Sequence, residues 1–293
     1  MDYNLYDINT IKKILSKYGF TFSKALGQNF LIDPDVCPKM AKSLNADDKT
    51  GVLEIGPGIG VLTKELGKVA KKVVSIELDK RLLPVLEETL GDYDNIEIVN
   101  GDVMELDLKA LIEEKFEGCS NIKVCANLPY YITSPIIMML LESELNIDEI
   151  VVMVQKEAGE RLCAKVGTRQ AGAVSVAVNF YADGEILFDV PRESFMPSPK
   201  VDSVVIRLKI GNECKYEIEN KKKFFSVVKC AFAQRRKTAL NSISNTMGVP
   251  KAKLTEIFEE LGLDINIRPE KLTMENLIEL SKKYERIKAI YER

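Results

Sequence analysis

Between residues 50 and 155, short apolar runs rich in β-branched residues alternate with segments whose apolar positions recur at helical spacing. The runs fall at 51–55, 72–76, 96–99, 122–126 and 149–154, and such alternation is the signature of βα units around a parallel sheet. The intervening stretches, such as 80–90 and 134–141, predict helices packed on the two sheet faces. Residues 173–181 are ambiguous: Val174, Val178 and Tyr181 share a helical face, whereas the β-branched content suits a strand, and the helical reading is preferred. Asp183-Gly184 then marks a turn into a strand at 186–190, and 201–210 alternates well enough to be another, completing seven.

After Ile210 the pattern changes. A polar stretch at 211–219 leads into segments that read entirely as helix, punctuated by Pro250 and Pro269 and ending in a long charged pattern at 275–291. About four helices are expected there, with no internal repeat. The architecture predicted is α/β: a Rossmann-like seven-stranded sheet domain over 1–210, followed by a small all-α domain over 211–293.

Composition narrows the function classes. With 293 residues and 46% hydrophobic content, the chain can bury one large core or two smaller ones, and one large and one small domain are expected. Residues 1–13 are polar and mixed in charge, unlike a secretory signal, and the longest apolar stretch, near 136–141, is far short of the roughly 20 residues a membrane span requires. A soluble, cytoplasmic chain with no membrane partner is expected. Six cysteines without a CxxC pair read as reduced thiols filling apolar space. Histidine is absent, which removes the commonest metal ligand and the usual general base, so zinc hydrolysis and Ser-His-Asp chemistry are disfavoured and no metal is expected. A net charge of −3 argues against a globally basic nucleic-acid binder, yet residues 221–237 carry seven basic side chains and no acidic one. That run is either a solvated helix face or a stripe that meets phosphates.

The chemistry concentrates at strand ends. The first strand runs into Gly56-Pro57-Gly58-Ile59-Gly60, where glycines let backbone approach a ligand at the carboxyl edge of the sheet. The spacing is neither the dinucleotide GxGxxG nor a Walker pattern, so a cofactor without a pyrophosphate fits better. Glu77 ends the second strand, 21 residues after Gly56, where a carboxylate can accept from both ribose hydroxyls. Asp102 ends the third and is placed to accept from an adenine amino group. Two carboxylates also suit a cationic sulfonium cofactor. The fourth strand ends in Asn127-Leu128-Pro129-Tyr130. The Asn127 side-chain oxygen and the Leu128 or Pro129 carbonyl could accept both N–H bonds of an exocyclic amine, while Tyr130 stacks on its base. In-line methyl transfer to such an amine needs no prior proton removal, in keeping with the missing imidazole.

With the segments Lys24-Ala25-Leu26-Gly27-Gln28-Asn29-Phe30-Leu31 and Phe195-Met196-Pro197-Ser198-Pro199-Lys200-Val201-Asp202-Ser203 added, the chain resembles the KsgA-type ribosomal RNA adenine dimethyltransferases over roughly residues 20 to 210. Phe232-Ala233-Gln234-Arg235-Arg236-Lys237-Thr238-Ala239-Leu240 is similar to the pattern of that family's small C-terminal domain, and the stretch from Thr168 to Ala173 departs from its usual residues. The resemblance implies that S-adenosyl-L-methionine is bound by Gln28, Asn29, Leu31, Gly56, Gly58, Glu77, Leu78, Asp102, Val103 and Asn127, and that Phe195 sandwiches the target adenine against Tyr130. It further implies that the first domain is a methyltransferase domain whose partner is 16S ribosomal RNA within the immature 30S subunit, approached by a monomer. The candidate RNA contacts are Lys200, Lys223, Arg235, Arg236 and Lys237. The alternatives are a large-subunit adenine methyltransferase of the macrolide-resistance type, a ribosome-assembly factor acting mainly by binding, and a DNA adenine methyltransferase.

Overall fold

The computed structural model describes residues 3–20, 29–211 and 216–289. The chain divides into two compact units, one made of Met1–Gly159 with Asp183–Ile210 and the other of Glu160–Ala182 with Gly211–Arg293.

In the first unit, β2 (Thr50–Ile55), β3 (Lys72–Glu77), β4 (Ile96–Asn100), β5 (Asn121–Asn127), β6 (Glu149–Gln155), β7 (Ala182–Val190) and β9 (Ser203–Ile210) form a seven-stranded sheet in the order β4-β3-β2-β5-β6-β9-β7. Strands β2 to β6 pair in parallel, and β9 returns antiparallel to β6. The expected seven strands are all present. The last two begin elsewhere than their alternation suggested, at Ala182 rather than Ile186 and at Ser203 rather than Val201. Every residue of β2 is buried, as a strand covered on both faces by helices must be. The helices Val61–Gly67 and Leu83–Leu90 bury Leu62, Leu66, Val85 and Leu86 in this core.

Two very short strands were not anticipated: β1 (Phe30–Leu31) pairs antiparallel with β8 (Phe195–Met196), with Leu31 opposite Phe195. At two residues each they carry no periodicity, and they exist because their side chains join the core. The adjoining backbone is held by Ile32 N–H donating to the Ser194 carbonyl at 2.8 Å and the Ser194 hydroxyl to Asp33 at 2.8 Å.

The second unit corrects the expected division at 210. Its helix Ala173–Tyr181 is the one the sequence favoured, but Val176 and Phe180 are buried in the helical core with Phe224, Leu254, Phe258 and Leu277 instead of in the sheet's core. Aromatic packing supplies the reason: the Phe180 ring lies 5.6 Å from Phe224 and 5.4 Å from Phe225, and Tyr181 stacks on Phe225 at 5.6 Å. Among the described residues after 210 the α-helices are Lys221–Phe232, Ala239–Met247, Lys251–Glu260, Met274–Lys282 and Tyr284–Ala289, five where about four were expected. The charged pattern at 275–291 is interrupted at Lys283, whose N–H bonds the Leu280 and Ser281 carbonyls while its ammonium reaches Glu260 at 2.6 Å. Among the described residues no helix is long and apolar enough to cross a membrane.

Candidate active site

Sheet register brings the carboxyl ends of β2, β3, β4 and β5 level. Ile55 pairs with Ile76 on one side and Ala126 on the other, and Glu77 pairs with Asn100. A cavity opens over these ends, where open α/β sheets bind ligands. Asn29, Leu31, Gly56, Gly58, Glu77, Leu78, Asp102, Val103, Asn127, Leu128, Pro129, Tyr130 and Phe195 all line it. Every sequence-predicted cofactor and catalytic residue is therefore in one place except Gln28, which lies outside the described residues.

The glycine turn works through backbone conformation. Gly56 has φ +72°, and a side chain added there would meet nothing within 4 Å, so open space lies before its backbone. Gly58, at φ +62°, donates its N–H to Glu77 Oε2 at 3.2 Å, tying the turn to the end of β3. The other Glu77 oxygen accepts from Asp79 N–H at 2.8 Å. A carboxylate offers about four lone-pair sites, so Glu77 retains acceptor capacity toward the cavity. Burial raises its pKa above the usual carboxylate value, against the pull of these backbone donors. Asp102 spends one oxygen on Met104 N–H at 2.9 Å and keeps the other.

Below the turn sits a second glutamate that sequence reading passed over. Glu54, in the interior of β2, is 1% exposed. Its Oε2 accepts from Ser75 Oγ at 2.6 Å, whereas its Oε1 and the nearby Thr63 hydroxyl are buried without a well-formed hydrogen bond among the described residues. Burial pushes its pKa up to about 7, outweighing relief from Ser75 and Thr63, and the charge on Glu77 adds to the rise.

At the end of β5, the Asn127 side-chain amide makes no hydrogen bond among the described residues and faces the cavity. The sequence left Leu128 and Pro129 as equal candidates for the second acceptor. The fold distinguishes them, because the Pro129 carbonyl already accepts from Ile132 N–H at 3.2 Å and Thr133 Oγ1 at 3.1 Å. Two lone pairs are then used, which leaves the Leu128 carbonyl. Tyr130 is half-buried, its hydroxyl 2.7 Å from Ser203 Oγ, and burial raises its pKa. Phe195 is only 4% exposed, packed in the core beside β1. A residue the sequence reading missed, Tyr131, also lines the cavity and is 60% exposed. No local signal separates it from its neighbour Tyr130; its exposure comes from the turn between β5 and the helix Thr133–Glu142.

The basic candidates divide between the units. Arg235, Arg236 and Lys237 are exposed together in the loop joining Lys221–Phe232 to Ala239–Met247, so the stripe does not continue as a helix face. Lys223 lies in the first turn of the preceding helix and is partly buried. Lys200 is exposed in the loop after β8 and belongs to the sheet unit.

Comparison with known proteins was made against this geometry. The family profile described as ribosomal RNA adenine dimethylase matches residues 19–286. A relative from Clostridioides difficile (strain 630), named ribosomal RNA small subunit methyltransferase A, is 45% identical over 273 residues, covering 93% of this chain and 94% of that protein. Among solved structures, a dimethyladenosine transferase from Plasmodium falciparum superposes with a TM-score of 0.71 at 26% identity, covering 89% of this chain and 98% of its own. The 23S rRNA methyltransferase ErmE follows with a TM-score of 0.64 at 26% identity, covering 88% of this chain and 100% of its own.

Proposed function

The chain belongs to the ribosomal RNA adenine dimethylase family, and on that premise we propose that it dimethylates N6 of two adjacent adenines in the 3′-terminal hairpin of 16S ribosomal RNA during small-subunit biogenesis. It is an S-adenosylmethionine-dependent ribosomal RNA methyltransferase. The cofactor, when bound, supplies a methyl group carried on a cationic sulfur. The residues present fit that group. Glu77 has acceptor sites left for a ribose, Asp102 keeps one carboxylate oxygen for an adenine amino group, Gly56 leaves room for close approach, and two acids suit a cation.

The chain's own residues then act on the target amine. An adenine amino nitrogen is a poor nucleophile while its lone pair is delocalised into the ring. Asn127 Oδ1 and the Leu128 carbonyl accept its two N–H bonds and draw the nitrogen toward a tetrahedral shape, with Pro129 fixing the turn that presents them. No side chain has to remove a proton first, because the nitrogen loses it readily once alkylated; positioning and partial desolvation supply the rate. Tyr130 and Phe195 hold the base. Extruding it costs a few kcal/mol, which stacking of about 1 to 3 kcal/mol per base offsets.

The observation that carries this reading is the uncommitted Asn127 amide, in the same cavity as Glu77. The relative named for the small subunit matches across 93% of the chain at 45% identity, against 26% for ErmE, which supports the small-subunit target over the large. We assign methyl transfer to the sheet domain and phosphate contacts to Lys200, Lys223, Arg235, Arg236 and Lys237. The chain is taken to meet the immature 30S subunit in the cytoplasm as a monomer. Mass spectrometry of both ribosomal RNAs after reaction with undermethylated ribosomes tests the proposal: two neighbouring dimethyladenosines in 16S RNA are expected, and a mark confined to 23S RNA would refute it.

A further inference from the structure

Four aromatic rings line the cavity at different depths: Phe195 and Phe30 are buried at 4% and 6% exposed, Tyr130 is half-buried and Tyr131 is 60% exposed. Phe30 packs in the core near Phe20, and Tyr131 is the one exposed ring that the adenine reading leaves without a task. Three other tyrosines of this unit use their hydroxyls in the fold, Tyr130 on Ser203 and Tyr3 and Tyr18 on Glu88, and Tyr6 is partly buried against the core. The Tyr131 side chain makes no hydrogen bond or ring contact among the described residues. A large ring left in water beside a cavity gains most from a partner that covers it.

Its backbone, by contrast, is firmly set. Leu128 N–H donates to the Met153 carbonyl at 3.2 Å before the turn, and Ile132 N–H and Thr133 Oγ1 close it on the Pro129 carbonyl. Thr133, Ile136 and Ile137 then anchor the following helix in the interior. Covering a ring mounted in this way costs little ordering entropy beyond its own two side-chain torsions.

The substrate chemistry names the partner. A polynucleotide that delivers one base to the Tyr130 position leaves the adjacent base without its stacking neighbour, and Tyr131 follows Tyr130 by one residue, about 3.8 Å between Cα atoms. We propose that Tyr131 is a substrate-positioning residue, a stacking platform for the nucleobase next to the target adenine, so that one of the two adjacent adenines is held at the mouth while the other reacts. The proposal rests on the adenine reading above. It makes the cavity a two-base site, and aromatic stacking, being tolerant of base identity, serves either adenine in turn.

The test compares Tyr131→Ala and Tyr131→Phe with the parent enzyme. Substrates are undermethylated small subunits and a hairpin RNA carrying 2-aminopurine beside the target adenine. Loss of one stacked base is expected to raise KM for the subunits about tenfold or more in Tyr131→Ala. Cofactor affinity by calorimetry stays within twofold. Quenching of 2-aminopurine on binding is expected with the parent and with Tyr131→Phe, and to be lost with Tyr131→Ala. Parent-like KM and quenching in Tyr131→Ala overturn the proposal, as does a tenfold fall in cofactor affinity, which would make the ring a wall of the cofactor site. Absence of RNA methylation by the parent itself would instead sink the adenine reading.

Discussion

Replacing Glu54 with glutamine isolates the cost of a buried acid beneath the glycine turn. Burial places the pKa of this carboxyl at about 7 in the folded chain, against an ordinary 4.5. Between those values the folded state binds the proton more tightly than the unfolded state, so this group's contribution is most favourable below about pH 4.5 and declines as pH rises to about 7. Linkage with these two values gives a penalty of about 1 kcal/mol at pH 5 and about 3 kcal/mol at pH 8. Glutamine stays neutral throughout. Its oxygen can accept from Ser75 Oγ, and its amide can donate to the Thr63 hydroxyl, which has no well-formed bond of its own. Whatever fixed gain or cost the amide brings, on the order of 1 to 3 kcal/mol, it is the same at both pH values and cancels. The stability difference between Glu54→Gln and the parent should therefore move in the variant's favour by about 2 to 3 kcal/mol from pH 5 to pH 8. Urea unfolding at a series of pH values measures this. Hydrogen exchange of residues 50–60, read in parallel, assigns the transition to the sheet unit. A difference that stays flat across this range would mean the carboxyl is solvated, and the buried assignment would fail.

The remaining expectations concern the active site and the basic loop. Glu77→Ala should weaken S-adenosylmethionine binding by tenfold or more, since hydrogen bonds to a charged acceptor contribute about 1.5 to 3 kcal/mol each; unchanged affinity in calorimetry would contradict the ribose assignment. Asn127→Ala should cut kcat by about a hundredfold or more, the usual cost of one preorganised polar group, and fail to complement a deletion strain; full complementation would favour a factor that acts mainly by binding. Alanine at Arg235, Arg236 and Lys237 together should lower affinity for small subunits and reduce the slope of log K against log salt by about 2, three phosphate contacts at roughly 0.7 each. Equal slopes for variant and parent would remove this loop from the RNA interface.

What the sequence made legible was mostly local. The parallel strands begin within a residue of their apolar runs; Glu77 and Asn127 close such runs, whereas Asp102, expected to end the third strand, stands two residues beyond it in the following turn. What it hid depends on packing between distant segments. The pairing of Leu31 with Phe195 joins residues far apart in the chain through strands too short to show any period. Residues 160–182 read as part of the first domain because they sit between its strands, yet Phe180 finds its aromatic neighbours at 216, 224 and 225. The basic run lay within segments that read entirely as helix, but the helix ends at Phe232 and the next begins at Ala239, leaving Arg235 to Lys237 in the loop between.

Depth in the sheet explains why two glutamates beside the same glycine turn have different fates. Glu54 pairs with Ser75, two residues before Glu77 on the neighbouring strand, so it lies deeper by about 6.6 Å along the strand direction. At the strand end, Glu77 meets the N–H groups of Gly58 and Asp79 and faces the cavity, where a ligand can supply further donors. At Glu54's depth the only well-formed donor among the described residues is the Ser75 hydroxyl, so the proton itself becomes the means of neutralising the group. Sequence reading singled out Glu77 and passed over Glu54, although both stand beside the glycine turn. Register alone decides which carboxylate is offered to a ligand, and it predicts that moving the acid between these two rows, as in Glu77→Ala with Ser75→Glu, will not restore cofactor binding, because a carboxyl in the Ser75 row has no cavity to face.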